Sequence, residues 1–224
     1  MNKGIFITGT GTDVGKTYVS ALIVKLLRSQ NINAGYFKAA LSGAEKIDNN
    51  LIPGDAKLVC HMGGLSCPPE SLVPYIYEVP VSPHLASKIE NNPIEMCVIE
   101  EAFNNISENY DFIVAEGSGG IICPLRYDEK VIMLTDVMKM MKFPVIIVAN
   151  AGLGTINSTI LTVEYAKFQG FEIKGIVLNE YDMEDIMHND NKMMIESLTN
   201  IPVIAVAERE GNEIILLKSI EYII

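Results

Sequence analysis

Tryptophan is absent from these 224 residues, and histidine occurs only three times. Positive charge is also scarce: 17 basic residues stand against 28 acidic ones, a net charge of −11. That balance argues against binding to nucleic acid or to an acidic membrane through a broad basic face, so any anionic ligand must be held by local positive groups. The four cysteines, Cys60, Cys67, Cys97 and Cys123, include no C-x-x-C pair, and reduced structural thiols are expected. Cys60-His61 with Cys67 is an incomplete metal set. No apolar run approaches the ~20 residues a membrane span needs. The opening MNKGIFITGTG lacks the charged, apolar and cleavage-site succession of a secretory signal, so a cytoplasmic protein is expected. Repeats, low-complexity tracts and a recognisable domain boundary are missing too, and one domain over residues 1–224 is expected.

What the chain does contain is Gly9-Thr10-Gly11-Thr12-Asp13-Val14-Gly15-Lys16-Thr17, directly after the apolar run Ile5-Phe6-Ile7. This reads as a phosphate-binding loop. Its glycines let backbone N–H groups turn toward an anion, Lys16 adds a mobile positive charge, and the Thr17 hydroxyl can ligate Mg²⁺. The following segment, Tyr18 to Arg28, has apolar residues at helical spacing, so a helix N-terminus points at the same phosphate. The strict pattern G-x-x-x-x-G-K-[ST] is missed by one residue, because Gly9 lies one place too far back. A glycine-rich turn with no ligand is the plainer alternative, but it leaves Gly-Lys-Thr between strand and helix unexplained.

Strands are expected at Gly4–Thr8, Ala34–Lys38, Phe112–Glu116, Val145–Asn150, Ile173–Asn179 and Pro202–Ala207. Helices are expected at Thr17–Ser29, Ile94–Ile106, Lys130–Lys142, Thr155–Gln169 and Met183–Leu198, with a further short one opening at Ser82-Pro83 and a last one near 214–222. This alternation predicts an α/β fold: a P-loop NTPase-like, mostly parallel sheet with helices on both faces. Its strand C-termini, where Thr8, Lys38, Glu116, Asn150 and Asn179 fall, would hold the ligand. The Gly- and Pro-rich stretch from Leu41 to Pro83 reads as a long functional loop.

Lys38 ends a buried strand, which is costly without an anionic partner, and the topology brings it near Lys16. Two lysines on one triphosphate suit phosphoryl transfer, although a strand-end lysine can also be simply exposed. Asp55 and Glu116 offer hard oxygen ligands that complete a Mg²⁺ set with Thr17. Taken alone, Asp55 is more often a turn or cap residue. Glu116 closes the apolar strand FIVAE as a Walker-B-type acid would, and the turn Gly117-Ser118-Gly119-Gly120 presents further N–H groups to phosphate.

Together the segments GTGTDVGKT, GYFKAALSG (35–43), GDA (54–56), VPVSPHLAS (79–87), AEGSGG (115–120), LGTIN (153–157) and VLNE (177–180) resemble the dethiobiotin synthetase family, in order along residues 4–208. The resemblance implies an ATP-dependent cyclo-ligase acting on 7,8-diaminononanoate and CO₂, with Mg²⁺, as a homodimer. It implies that Lys16 holds the phosphates and that Lys38 stabilises charge between carbamate and γ-phosphate. Thr12 and the loop residues Asp13, Val14, Gly15, Lys16 and Thr17 would line the reacting groups, and Thr17, Asp55 and Glu116 would hold the metal. Ser42 would meet the carbamate and Asn157 the distal carboxylate, while Asn179, followed by Glu180, would read the adenine amide edge.

There are departures from the family pattern. Asp13 replaces a frequent glutamate, Ala39-Ala40-Leu41 replaces Pro-Val-Ala, and Ala207-Glu208-Arg209-Glu210 lacks the Gly-x-Ile-Pro run beside the base. Two other readings compete: another P-loop ligase, and a partitioning-ATPase-type nucleotide switch, whose loop usually carries an extra early lysine.

Overall fold

Apolar strands without polar alternation need cover on both faces. The computed structural model describes residues 3–224. Chain order begins with β1 (Lys3–Gly9), α1 (Lys16–Ser29) and β2 (Ala34–Lys38). Next come β3 (Ala40–Ser42), β4 (Glu45–Ile47), β5 (Asn50–Ile52), α2 (Gly54–Gly63), β6 (Tyr75–Tyr77) and α3 (Pro83–Ile89). The middle holds α4 (Met96–Ser107), β7 (Phe112–Glu116), β8 (Pro124–Tyr127), β9 (Val131–Met133) and α5 (Leu134–Met141). The last third alternates β10 (Val145–Asn150), α6 (Thr155–Phe168), β11 (Ile173–Asn179), α7 (Ile186–Thr199), β12 (Val203–Ala207) and β13 (Ile214–Leu216).

Seven strands form one sheet in the order β13-β12-β11-β10-β1-β7-β2, parallel except for the β12–β13 pair. Both faces are covered, as the period-two geometry of β2 demonstrates. Phe37 meets Phe103 of α4 edge-on at 5.5 Å, while its neighbour Lys38 points the other way and meets Asp55 of α2. The chain leaves β1 toward β7 and β2 on one side, and returns later to β10 on the other. The loop after β1 therefore opens at the point where strand order reverses, the usual ligand position in such sheets. In α1, buried Val19, Leu22, Ile23 and Leu27 face the core. Burial of each contributes about 1.5–3 kcal/mol, well above the ~0.7 kcal/mol at most that a β-branched residue costs a helix.

Several sequence expectations are corrected. The stretch 41–83 is largely regular: α2 spans its middle, with Pro53 as its N-cap and Gly64 past its end in the left-handed conformation (φ 69°). The Gly and Pro residues punctuate that helix at its ends. Asp48 and Asn49, both at positive φ, make the two-residue turn between β4 and β5. In 130–142 the first residues belong to the β8–β9 hairpin, and the helix starts only after Met133, whose N–H is capped by Asp136 at 2.8 Å. Asp185 caps α7, so that helix begins at Ile186 and not at Met183. The expected last helix is instead β13, paired antiparallel with β12, followed by a 3₁₀ turn at Ile220–Tyr222.

Candidate active site

The phosphate loop bends through two residues in the left-handed region, Asp13 (φ 59°) and Gly15 (φ 90°). Gly15 is needed twice over: its backbone is strained for any other residue, and a Cβ there would collide with the Asn179 side-chain amide. Asn179, at the end of β11, donates from Nδ2 to the Val14 carbonyl at 3.2 Å, which ties the loop to the sheet. Lys16 follows as the first residue of α1, and its Nζ turns back onto the Gly11 carbonyl at 2.8 Å.

Beside the loop lies a cleft of about 470 Å³, lined by Thr12, Asp13, Gly15, Lys16, Thr17, Tyr18, Lys38, Leu41, Ser42, Asp55, Leu58, Glu116, Ser118 and Gly119. Its centre is a charged cluster drawn from α1, β2, α2 and β7. Lys38 and Glu116 are partners in the β2–β7 register, which brings their side chains together. Lys38 Nζ bridges Asp55 Oδ2 at 2.5 Å and Glu116 Oε1 at 2.6 Å, and Thr17 Oγ1 donates to the same Glu116 oxygen at 2.8 Å. Glu116 Oε2 accepts the hydroxyl of buried Tyr36 at 2.9 Å.

The two lysines are tuned in opposite directions. Burial lowers the pKa of Lys16, and nearby Lys38 lowers it further, with Glu116, Asp55 and Asp13 only partly offsetting them. Burial also pulls Lys38 down, but Glu116 and Asp55 outweigh it and raise the pKa above the ordinary value. A buried ammonium costs several kcal/mol unless paired, and two carboxylates meet that need here. Burial, then the Glu116 charge, holds the Tyr36 phenol well above its usual range. Burial likewise pushes the Cys123 thiol up to about 11, although Lys16 and Lys38 draw it down, so this neighbour of the site is an unreactive thiol.

No group of three or more His, Cys, Asp or Glu suited to a metal occurs among the described residues. Asp55 and Glu116 instead present two carboxylates bridged by the Lys38 ammonium, and the Thr17 hydroxyl donates to Glu116 beside them. That donor set suits a hard cation that arrives with phosphate and water ligands of its own.

The family model described as an AAA domain matches residues 3–211. A Clostridium botulinum (strain Alaska E43 / Type E3) protein, ATP-dependent dethiobiotin synthetase BioD, is 53% identical over 203 residues, covering 91% of this chain and 89% of that protein. Its namesake from Clostridium novyi (strain NT) is 52% identical over 210 residues, covering 93% and 88%. The chain belongs to the dethiobiotin synthetase family. Among solved structures, a ParA family ATPase from Chlorobium tepidum TLS superposes with a TM-score of 0.58 at 14% identity, covering 95% of this chain and 87% of that one. FtsY from Mycoplasma mycoides gives 0.55 at 15% identity, covering 99% and 66%. These two likenesses show the P-loop NTPase-like fold alone.

Within this dethiobiotin synthetase family member, Thr12, Asp13, Gly15, Lys16, Thr17, Lys38, Ser42, Asp55, Glu116, Ser118 and Gly119 share the cleft. Other expected residues lie elsewhere. The Gly117 N–H donates to the Ile7 carbonyl at 2.9 Å inside the sheet, so it does not face phosphate. Ser118, although it lines the cleft, donates its hydroxyl to the Ala40 carbonyl at 2.6 Å. Asn179 lies under the loop, its Oδ1 buried without a hydrogen-bond partner. Glu180 accepts from Asn150 Nδ2 at 2.8 Å and lines a neighbouring cavity of about 540 Å³ with Tyr181, Asp182, His188, Glu208 and Arg209. Asn157 is exposed in the first turn of α6, off the cleft. Sequence reasoning missed Tyr36, although its place two residues before Lys38 put it on the same strand face. It also missed Tyr18, whose hydroxyl donates to the Gly211 carbonyl and fastens the 208–212 loop over α1.

Proposed function

We propose that this chain carboxylates 7,8-diaminononanoate with CO₂ and closes the ureido ring using ATP, giving dethiobiotin, ADP and phosphate. The observation that carries this reading is the convergence of Lys16, Thr17, Lys38, Asp55 and Glu116, from α1, β2, α2 and β7, on one cleft that also holds Thr12 and Ser42. One amine of the substrate takes up CO₂ and releases a proton, forming a carbamate. A carbamate oxygen attacks the γ-phosphorus and displaces ADP. The second amine then attacks the carbamoyl carbon, phosphate leaves, and the nitrogen gives up its proton.

Both reactants of the middle step are anions, and their approach is what the site must make possible. Lys16, freed from the Gly11 carbonyl, would hold the β- and γ-phosphates, while Lys38 would sit between carbamate and γ-phosphate where charge gathers. Ser42 and Thr12 would orient the carbamate. Thr17, Asp55 and Glu116 would hold Mg²⁺, which when bound would supply positive charge to the phosphate oxygens. Asn179 and Glu180 would adjoin the base, and the Asn179 Oδ1, buried beneath the loop without a partner, would accept from an exocyclic amine once uncovered.

A homodimer completes the reading. Asn157 stands at an exposed helix N-terminus beside Leu153, which is 93% exposed, and Leu161, also on the surface. Such a face suits contact with a second copy whose cleft receives the substrate's distal carboxylate.

The test is ADP release with and without 7,8-diaminononanoate and bicarbonate. Turnover is expected only with both, because together they make the phosphoryl acceptor. Rapid ATP hydrolysis with neither would favour a nucleotide switch.

A further inference from the structure

We propose that Tyr36 is a positioning residue that commits Glu116 to binding a cation through one oxygen, and so sets a preference for Mg²⁺ over larger divalent ions. This rests on the reading that Glu116 is a metal ligand. The Glu116 side chain is fully buried, and its two oxygens have different partners. Oε1 accepts from Thr17 Oγ1 at 2.8 Å and Lys38 Nζ at 2.6 Å, both from residues that line the cleft. Oε2 accepts from the Tyr36 hydroxyl at 2.9 Å, and Tyr36 is buried behind the cleft wall, not part of it.

Tyr36 and Lys38 share one face of β2, and β7 lies alongside in register, so strand geometry brings the phenol to the carboxylate. A carboxylate with one oxygen tied to a phenol has one oxygen left for a cation. Mg²⁺ takes few carboxylates in near-octahedral geometry, whereas Ca²⁺ accepts more oxygens and two-oxygen carboxylate binding. The Tyr36 hydrogen bond thus favours the smaller ion. Without it, Oε2 is free to turn toward the cation and the discrimination weakens.

Tyr36→Phe removes the hydroxyl and little else. Displacement of Mn²⁺, bound with a non-hydrolysable ATP analogue, by Mg²⁺ or Ca²⁺ can be followed by electron paramagnetic resonance, without turnover. Loss of a group that orients a metal ligand typically costs 10–100-fold in affinity. A fall in Mg²⁺ affinity of about tenfold is therefore expected, with a smaller fall for Ca²⁺. Thr199→Val is the control: it deletes a buried hydroxyl that donates to the Ile195 carbonyl at 2.7 Å in α7, and should leave the Mg²⁺/Ca²⁺ ratio unchanged. A second measurement needs no variant. Difference infrared spectra of the wild type, with glutamate isotopically labelled, should show a one-oxygen carboxylate signature on addition of Mg²⁺ and the analogue.

An unchanged ratio in Tyr36→Phe, an equal shift in Thr199→Val, or a two-oxygen signature in the wild type would each overturn the proposal. Should Tyr36→Phe fail to fold, the infrared result decides. If the wild type with the analogue binds no divalent cation, the metal assignment of Glu116 falls as well.

Discussion

Lys16 and Lys38 show how position outweighs residue type. Both are buried beside one cleft, yet Lys16 rests on a carbonyl with a lowered pKa, and Lys38 rests on two carboxylates with a raised one. Replacing either by alanine should lower kcat by ~10²-fold or more, since in the proposed mechanism each charge would act where negative charge gathers in the transition state. Single-turnover assays check this, and a normal rate in Lys38→Ala would remove that residue from the mechanism. Lys38 and Glu116 were legible because a charged residue closing an apolar strand needs a reason. Tyr36 was not, because a tyrosine inside such a strand also reads as ordinary core, and its partner sits 80 positions away.

Among the elements, the phosphate loop depends on Gly15 for backbone freedom and for space, whereas Gly64 after α2 needs only the first. Gly64→Ala should cost about 1–2 kcal/mol for the left-handed backbone and leave nucleotide binding intact. Gly15→Ala should cost more and abolish binding, because the new methyl displaces the Asn179 amide that anchors the loop. Denaturant unfolding with titration of an ATP analogue would separate the two; equal binding by both variants would refute the anchoring role of Asn179. The long parallel strands were readable from their apolar runs. The α2 helix was hidden by the Gly and Pro residues that bound it, and the β4–β5 hairpin by a turn, Asp48-Asn49, that has no glycine. β13 was misread since Ile214–Leu216 is too short to carry any period, and only its pairing with β12 makes it a strand.

For the whole molecule, no helix among the described residues is long and apolar enough to cross a membrane. The proposed homodimer would use the exposed apolar residues around the start of α6. Mixing Lys38→Ala with Asn157→Asp subunits tests whether sites are shared, because a shared-site heterodimer contains one site with both wild-type residues. Activity above either parent is expected; its absence, with heterodimers demonstrated by mass, would rule sharing out. The proposed homodimer came from the family resemblance and from no pattern within the chain, since apolar residues that will meet a second copy read the same as ordinary surface or core ones until the fold places them.

In a chain of net charge −11, Lys38 held between Asp55 and Glu116 also makes loading the cleft an exchange of occupants. A bare triphosphate that drew the ammonium away would leave two carboxylates uncompensated beside it. On the proposed function, Asp55 and Glu116 would instead receive a cation brought with the triphosphate, and the Lys38 ammonium so released would be free for the carbamate. The same balance gives the Lys38→Ala protein a second signature besides slowness: with its resident cation gone, its two carboxylates should take up Mn²⁺ without any nucleotide, where the wild type should not.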